Sequence, residues 1–209
     1  MFNIGNWHFN YLVHVYNNPR INERAIEVPV AVKMLKELPK ALEVGAVTPH
    51  YLYKTHEVID LYEEFPGVIN ADVLTYQPLD APYDLVFSIS TLEHLQGEAE
   101  FHLAIERMKS WLSPEGFLYF TVPFGQEEWM DKVMAEGLDS FEVLRFDKVK
   151  PEIHDWGMVP LDTPLRLYNG DSRWGNSVFL CFYPYCPFLP RVTEPLDSHP
   201  LQPASIPIP

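Results

Sequence analysis

Between residues 42 and 95 the chain repeats one pattern: a short apolar run that stops at a polar or acidic residue. Leu42-Glu43-Val44 stops at Gly45, Val58-Ile59 at Asp60, and Asp84-Leu85-Val86-Phe87 runs on through Ser88-Ile89-Ser90 into Thr91-Leu92-Glu93-His94. An Ala71-Asp72-Val73 step lies between the last two. A strand buried on both faces reads as a continuous apolar run. Residues just past the carboxyl ends of such strands face the crevice where open α/β sheets bind ligands. Gly45 allows close backbone approach. Asp60 follows it by 15 residues, near where a ribose-binding acid follows the glycine loop in nucleotide folds.

This stretch resembles the class I S-adenosylmethionine-dependent methyltransferases, in the small-molecule branch. The likeness rests on Leu42-Glu43-Val44-Gly45, on Ser88-Ile89-Ser90-Thr91-Leu92-Glu93-His94, and on an Asn22-Glu23-Arg24 box before the first core helix. It covers roughly residues 20–182. It implies a Rossmann-like α/β fold with a mostly parallel seven-stranded sheet, helices on both faces, strand order 3-2-1-4-5-7-6 and an antiparallel seventh strand. One departure stands out. The loop Gly45-Ala46-Val47-Thr48-Pro49-His50-Tyr51 holds a single glycine, and only Leu52 to Thr55 separate it from the next strand. The first crossover helix is therefore expected to be very short or missing.

Composition narrows the partners. The formal net charge of −14 over 209 residues repels phosphate backbones and argues against a nucleic-acid substrate. No apolar run approaches the ~20 residues needed to span a bilayer, so no membrane partner is expected. The opening Met1-Phe2-Asn3-Ile4-Gly5-Asn6 has neither a basic start nor an apolar signal core, and a cytoplasmic location is the expectation. Cys181 and Cys186 are the two cysteines. A zinc site wants four ligands and no second pair is spaced to help, so no metal is expected.

The chain divides into an N-terminal extension (1–21), a methyltransferase-like domain (22–183) and a proline-rich tail (184–209), in which 8 of 26 residues are proline. The aromatic extension is expected to cover a core edge or the mouth of the site. Asn22 to Leu38 reads as a helix with Asn22 as N-cap, and Pro29 marks where its regular part could begin. Strands are expected at Lys40–Val44, Glu57–Asp60, near Val68–Asn70, and at Asp84–Ser90, Phe117–Val122, Phe141–Phe146 and Ser177–Phe182. Helices are expected at Glu98–Leu112 and Glu127–Ala135, the second followed by Gly137 in the usual place for a terminating glycine. About 30 irregular residues separate the last two strands, and loops of that length are often functional.

S-adenosylmethionine has a ribose diol, an adenine and an amino-acid end, and the resemblance assigns residues to each. Asp60 meets the diol. Gly45 and Ala46 give backbone room, with Glu43 beneath to order that loop or meet the ammonium. Asp72 and Val73 take the adenine, and Ser88 passes the methionine portion. Each also has a purely structural reading, Asp60 as a strand-end acid and Asp72 as a turn former. Methyl transfer depends mostly on positioning; a base is needed only where the acceptor must lose a proton. His94 is one candidate base, although it could simply pin its loop. Glu93 is weaker, and His154 with Asp155 is an alternative base and orienter. Phe124, Trp129 and Trp156 could wall the pocket of a small-molecule acceptor. Asn22-Glu23-Arg24 could fold over the cofactor mouth or only cap and cover a helix. The expected activity is O- or N-methylation of a small polar acceptor. A silent methyltransferase-like module is the first rival. A dinucleotide oxidoreductase would need G-x-G-x-x-G opening a helix, and Pro49 stands where that helix would begin.

Overall fold

The computed structural model describes residues 1–15, 22–51, 55–148, 156–161, 163 and 177–184. An antiparallel hairpin of β1 (Phe2–Ile4) and β2 (Trp7–Phe9) comes first. It is followed by α1 (Arg24–Glu37), β3 (Ala41–Val44), β4 (Glu57–Asp60), β5 (Ile69–Asn70) and β6 (Tyr83–Ile89). The remainder is α2 (Glu98–Ser110), β7 (Leu112–Pro123), α3 (Glu128–Glu136), β8 (Glu142–Lys148), β9 (Trp156–Val159) and β10 (Ser177–Tyr183).

The main sheet is ordered β5-β4-β3-β6-β7-β10-β8-β9. Its first five strands run parallel, and β10 is antiparallel to both β7 and β8. The expected seven-strand order is present in full, with β10 as the reversed strand. The strand count is corrected from seven to eight. β9, inside the stretch expected to be irregular, adds an antiparallel edge beside β8. Trp156-Gly157-Met158-Val159 is too short, and too interrupted by glycine, to announce itself by alternation.

Alternation across the pleat divides the core. Ala41, Leu85, Phe87, Ile89, Tyr119, Leu180 and Phe182 face α1 and the β1–β2 hairpin. Leu42, Val44, Val86, Leu118, Phe120, Phe179 and Cys181 face α2 and α3. Helices thus cover both faces. Burial pushes the Cys181 thiol well above its ordinary pKa, in keeping with an inert core thiol. Cys186 lies outside the described residues, as does the tail from residue 185 on.

Helix α1 departs from its sequence reading. It begins at Arg24 with Glu23, not Asn22, at the N-cap, and the Asn22 side-chain oxygen accepts no hydrogen bond. Pro29 lies inside it, not at its start. A proline there cannot donate to the carbonyl four residues back, and the carbonyl of Ala25 takes the N–H of Leu12 at 3.0 Å in its place. The N-terminal segment therefore closes the gap that Pro29 opens. It also covers the helix: Phe2, Ile4 and Phe9 join Ile26, Val28, Val30 and Met34 in one cluster. Buried on nearly all sides in its first half, α1 has no clean polar face to reveal its register. Between β3 and β4 a single 3-10 turn, Thr48–His50, is the only helical element among the described residues.

If the hairpin is part of the core, Phe2→Ala should cost about 3 kcal/mol of stability, the low end for a buried phenylalanine, in urea unfolding. A loss below about 0.5 kcal/mol, the surface range, would show that the hairpin merely lies on the domain.

Candidate functional site

The carboxyl ends of β3, β4, β6 and β7 form one polar edge. At its centre is Glu43, fully buried on the face that carries α1. Its Oε1 accepts the N–H groups of Val47 (3.0 Å) and Thr48 (2.8 Å). Its Oε2 accepts the Thr48 hydroxyl and lies 2.9 Å from His56 Nε2. The short connection from β3 to β4 is thus fastened to the sheet beneath it. Glu43 orders the loop, and its bonds go to protein groups.

Gly45 has φ +88, and a Cβ there would lie 2.0 Å from Thr91 Oγ1. Only glycine fits both the left-handed backbone and the packed threonine. Its N–H donates to the carbonyl of Ile59 at 2.8 Å. The N–H of Ala46 donates to Asp60 Oδ2 at 2.9 Å, and Asp60 Oδ1 accepts the N–H groups of Tyr62 and Glu63, both at 2.8 Å. A carboxylate offers about four lone-pair sites, so one of Oδ2 is left for an outside donor. Leu61 and Tyr62, at 46% and 84% exposure, flank it with apolar surface. Ser88 is buried and donates to the carbonyl of Val44 at 2.8 Å. Asp72 Oδ1 accepts the N–H of Leu74 at 2.8 Å, forming the turn after β5. Val73 is buried, and its carbonyl accepts Arg107 Nε at 3.0 Å. Glu43, Gly45, Ala46, Asp60 and Ser88 are therefore drawn into one hydrogen-bonded group. Asp72 and Val73 adjoin it through the Ala71 N–H, which donates to the carbonyl of Asp60 at 3.0 Å.

The remaining sequence candidates scatter. His94 has a side chain 66% exposed, with Nε2 4.0 Å from Glu93 Oε1. His154 and Asp155 lie outside the described residues. Phe124 and Trp129 pack with the α2–α3 side of the core, and the Arg145 guanidinium lies 4.1 Å over the Phe124 ring. Trp156 belongs to the α1 side. The three aromatic residues do not share one wall.

A second polar group, built on Glu27, is one that the sequence reading did not identify. Glu27 is fully buried on α1. Its Oε2 meets Arg24 Nη1 at 2.8 Å. Its Oε1 accepts the hydroxyls of Ser90 (2.5 Å) and Thr121 (2.6 Å). Ser90 has φ +40, a costly backbone for a non-glycine residue. Its N–H, donating to the Thr121 carbonyl at 3.0 Å, helps to hold it there. Glu93, at 3% exposure, lies within electrostatic reach of Glu27, Arg24 and Glu23. Burial pushes its carboxyl up to about 8, with Glu27 and Glu23 adding to the rise and a hydrogen bond from its own backbone N–H and the Arg24 charge pulling the other way. Glu23 is raised as well, by burial and then by Glu27. The spacing from Asn22-Glu23-Arg24 to Glu27, one helical turn, was the available clue. Among the described residues no three His, Cys, Asp or Glu side chains could hold a metal, and no helix is long and apolar enough to cross a membrane. A separate 260 Å³ cavity, lined among others by Lys40, His56 and Tyr83, lies at the opposite, amino-terminal edge of the strands.

No family model and no curated protein matches the chain. Solved structures do. The N-methyltransferase NodS from Bradyrhizobium japonicum WM9, in complex with S-adenosyl-L-homocysteine, is similar with a TM-score of 0.50 at 16% identity, over 77% of this chain and 85% of that one. DhpI in complex with SAH gives 0.45 at 14% identity, over 81% and 86%. The sugar N-methyltransferase KedS8 from Streptoalloteichus sp ATCC 53650 gives 0.43 at 16% identity, over 72% of each chain. The chain has the Rossmann-like fold of the class I methyltransferases.

The environment of Glu93 carries a pH dependence. Its carboxyl titrates near 8 in the folded chain and near its ordinary 4.5 when unfolded. Between those values the folded state retains a proton that the unfolded chain has released, so this contribution to stability falls as pH rises. Glu93→Gln, which keeps the neutral shape, should match wild type in urea unfolding at about pH 5 and exceed it at about pH 8. Parallel pH dependences in the two proteins would place the Glu93 carboxyl in a solvated setting.

Proposed function

We propose that this chain is an S-adenosylmethionine-dependent methyltransferase acting on a small polar acceptor by O- or N-methylation, in the cytoplasm. The observation that carries this reading is the Asp60 carboxylate at the end of β4. It fixes the Ala46 N–H beside Gly45 and keeps one acceptor site for a ribose hydroxyl between exposed Leu61 and Tyr62. The likeness of fold to NodS, crystallised with S-adenosyl-L-homocysteine, supports the same cofactor here.

In this reading Asp60 holds the diol, and Gly45 and Ala46 allow close approach. Asp72 and Val73 border the adenine, with Leu61 and Tyr62 adding apolar contact. The Ser88–Thr91 segment borders the amino-acid end. The cofactor supplies an already activated methyl group. The protein's work is to orient the acceptor and exclude water. Glu43 acts through the loop it anchors and is a positioning residue. His94 and His154 remain candidate bases for acceptors that must lose a proton, and Phe124, Trp129 and Trp156 candidate acceptor contacts.

A silent binding module is the second reading. Its support is the commitment of Asp60 to three backbone N–H groups, which leaves little capacity for a ligand. Calorimetry with S-adenosylmethionine, S-adenosylhomocysteine and NAD should give binding of the first two alone. Asp60→Ala should weaken it by roughly 1.5–3 kcal/mol, the range for a hydrogen bond to a charged group. Cofactor binding without transfer to any acceptor would favour the silent module. Binding of NAD, or of none of the three, would remove the proposal.

A further inference from the structure

The 260 Å³ cavity at the amino-terminal edge of the strands takes no part in the cofactor crevice. Lys40, His56, Glu57, Asp80 and Tyr83 are among its lining residues. Two of these carry a buried polar atom without a hydrogen-bond partner, His56 Nδ1 and Tyr83 Oη. The His56 side chain is 2% exposed, and so is Tyr83. A buried polar group left unpaired costs about 1–3 kcal/mol, so two that line one cavity call for an occupant. The His56 ring is oriented by its other nitrogen. Nε2 lies 2.9 Å from Glu43 Oε2 and 3.2 Å from Thr48 Oγ1, and neither residue lines the cavity. A carboxylate only accepts, so Nε2 carries the proton and the neutral ring keeps a lone pair on Nδ1. Tyr83 keeps its hydroxyl proton, because burial first and then the nearby Glu57 charge raise its pKa.

We propose that this cavity is a second ligand site, for a small organic cation of the guanidinium class. The proposal does not depend on the methyltransferase reading. Acceptors dominate the lining: His56 Nδ1, the Tyr83 oxygen, and the carboxylates of Glu57 and Asp80. Glu57 Oε1 already accepts the Tyr76 hydroxyl at 2.8 Å, which leaves Oε2 for a ligand. Two carboxylates against the one ammonium of Lys40 leave one net negative charge beside a neutral imidazole. A monocation balances that charge, and an anion would add to it. A metal ion is disfavoured, because among the described residues no three His, Cys, Asp or Glu side chains could hold one. Donor count then selects among cations. A guanidinium carries five N–H donors in a plane and meets carboxylates edge to edge. An alkylammonium brings three donors to four acceptor groups. Access runs from solvent inward: Lys40 and Asp80 are exposed, Glu57 is half-buried, and the His56 and Tyr83 side chains are buried. The volume lies just below the roughly 300–1,000 Å³ of ordinary ligand pockets, which fits a small free molecule. The net charge of −14 adds a field that draws cations to the chain.

Side-chain NMR of the full chain at about pH 8, where an ordinary histidine is neutral, tests this. Methylguanidinium, methylammonium, acetamide and acetate are titrated separately in a potassium chloride background. Methylguanidinium should give a saturable shift of His56 Nδ1, assigned by its loss in His56→Gln. The Tyr83 ring signals, assigned by their loss in Tyr83→Phe, should saturate at the same concentration, and they serve alone if the His56 variant unfolds. Methylammonium should bind more weakly, and acetamide and acetate should leave both signals unmoved. Glu57→Gln and Tyr83→Phe should each bind methylguanidinium about ten- to a hundredfold more weakly, the equivalent of one lost charged hydrogen bond. The Tyr83 hydroxyl has no partner to lose, so its removal should leave stability in urea unchanged or higher, and weaker binding then reports the site and not the fold. No saturable shift, an equal response to acetamide or acetate, tighter binding of methylammonium, or unchanged affinity in a folded Tyr83→Phe would overturn the proposal.

Discussion

The buried carboxylate of Glu43 is the interaction on which the rest of the crevice depends. The connection from β3 to β4 is too short for the helix that would normally cover this part of the sheet and supply N–H groups at its start. The chain needs another anchor for an irregular loop lying over apolar strands. Glu43 provides it by accepting two backbone N–H groups and the Thr48 hydroxyl while facing His56. A carboxylate removed from water is expensive unless its lone pairs are filled, and here both oxygens have two partners. With Val47 and Thr48 fixed, Gly45 is held in its left-handed turn against Thr91, and the Ala46 N–H reaches Asp60. This edge of the sheet is thus shaped from below by one residue, Glu43, whose bonds all go to protein groups.

A parallel device shapes the neighbouring edge. Glu27 projects from an otherwise apolar part of α1 and gathers the hydroxyls of Ser90 and Thr121. It ties helix, β6 and β7 together at the carboxyl end of the sheet, and it holds Ser90 in a backbone conformation that a serine seldom adopts. The two glutamates differ in what surrounds them. Around Glu43 both carboxylate oxygens are filled by Val47, Thr48 and His56. On the Glu27 side, buried oxygens of Asn22, Glu23 and Glu93 have no hydrogen-bond partner. The first fastens a loop to the sheet, and the second fastens a helix to two strands.

The sheet was legible because its strands are buried on both faces and end in conspicuous polar residues, a pattern fixed by local chemistry. Asp60 and Gly45 could be read for the same reason. The register of α1 could not. The hairpin, far from it in sequence along the N-terminal segment, buries the faces that amphipathicity would have left polar, and Leu12 repairs the helix at Pro29. β9 was missed because an edge strand with a glycine carries no alternation. The Glu27 group was hidden because its members meet across 63 and 94 residues of chain. Read locally, Glu27 is a helix glutamate and Thr121 a polar residue in a strand; only the fold makes them partners.

Backbone-amide NMR during a titration with S-adenosylhomocysteine tests the central claim, that the loop anchored by Glu43 is the cofactor platform. Saturable shifts are expected at Gly45–Val47, at Asp60–Glu63, at Asp72 and Val73, and at Ser88–Thr91, with the amino-terminal edge around Lys40 and Tyr83 unmoved. Shifts confined to that opposite edge, or no shifts in a folded protein, would contradict it.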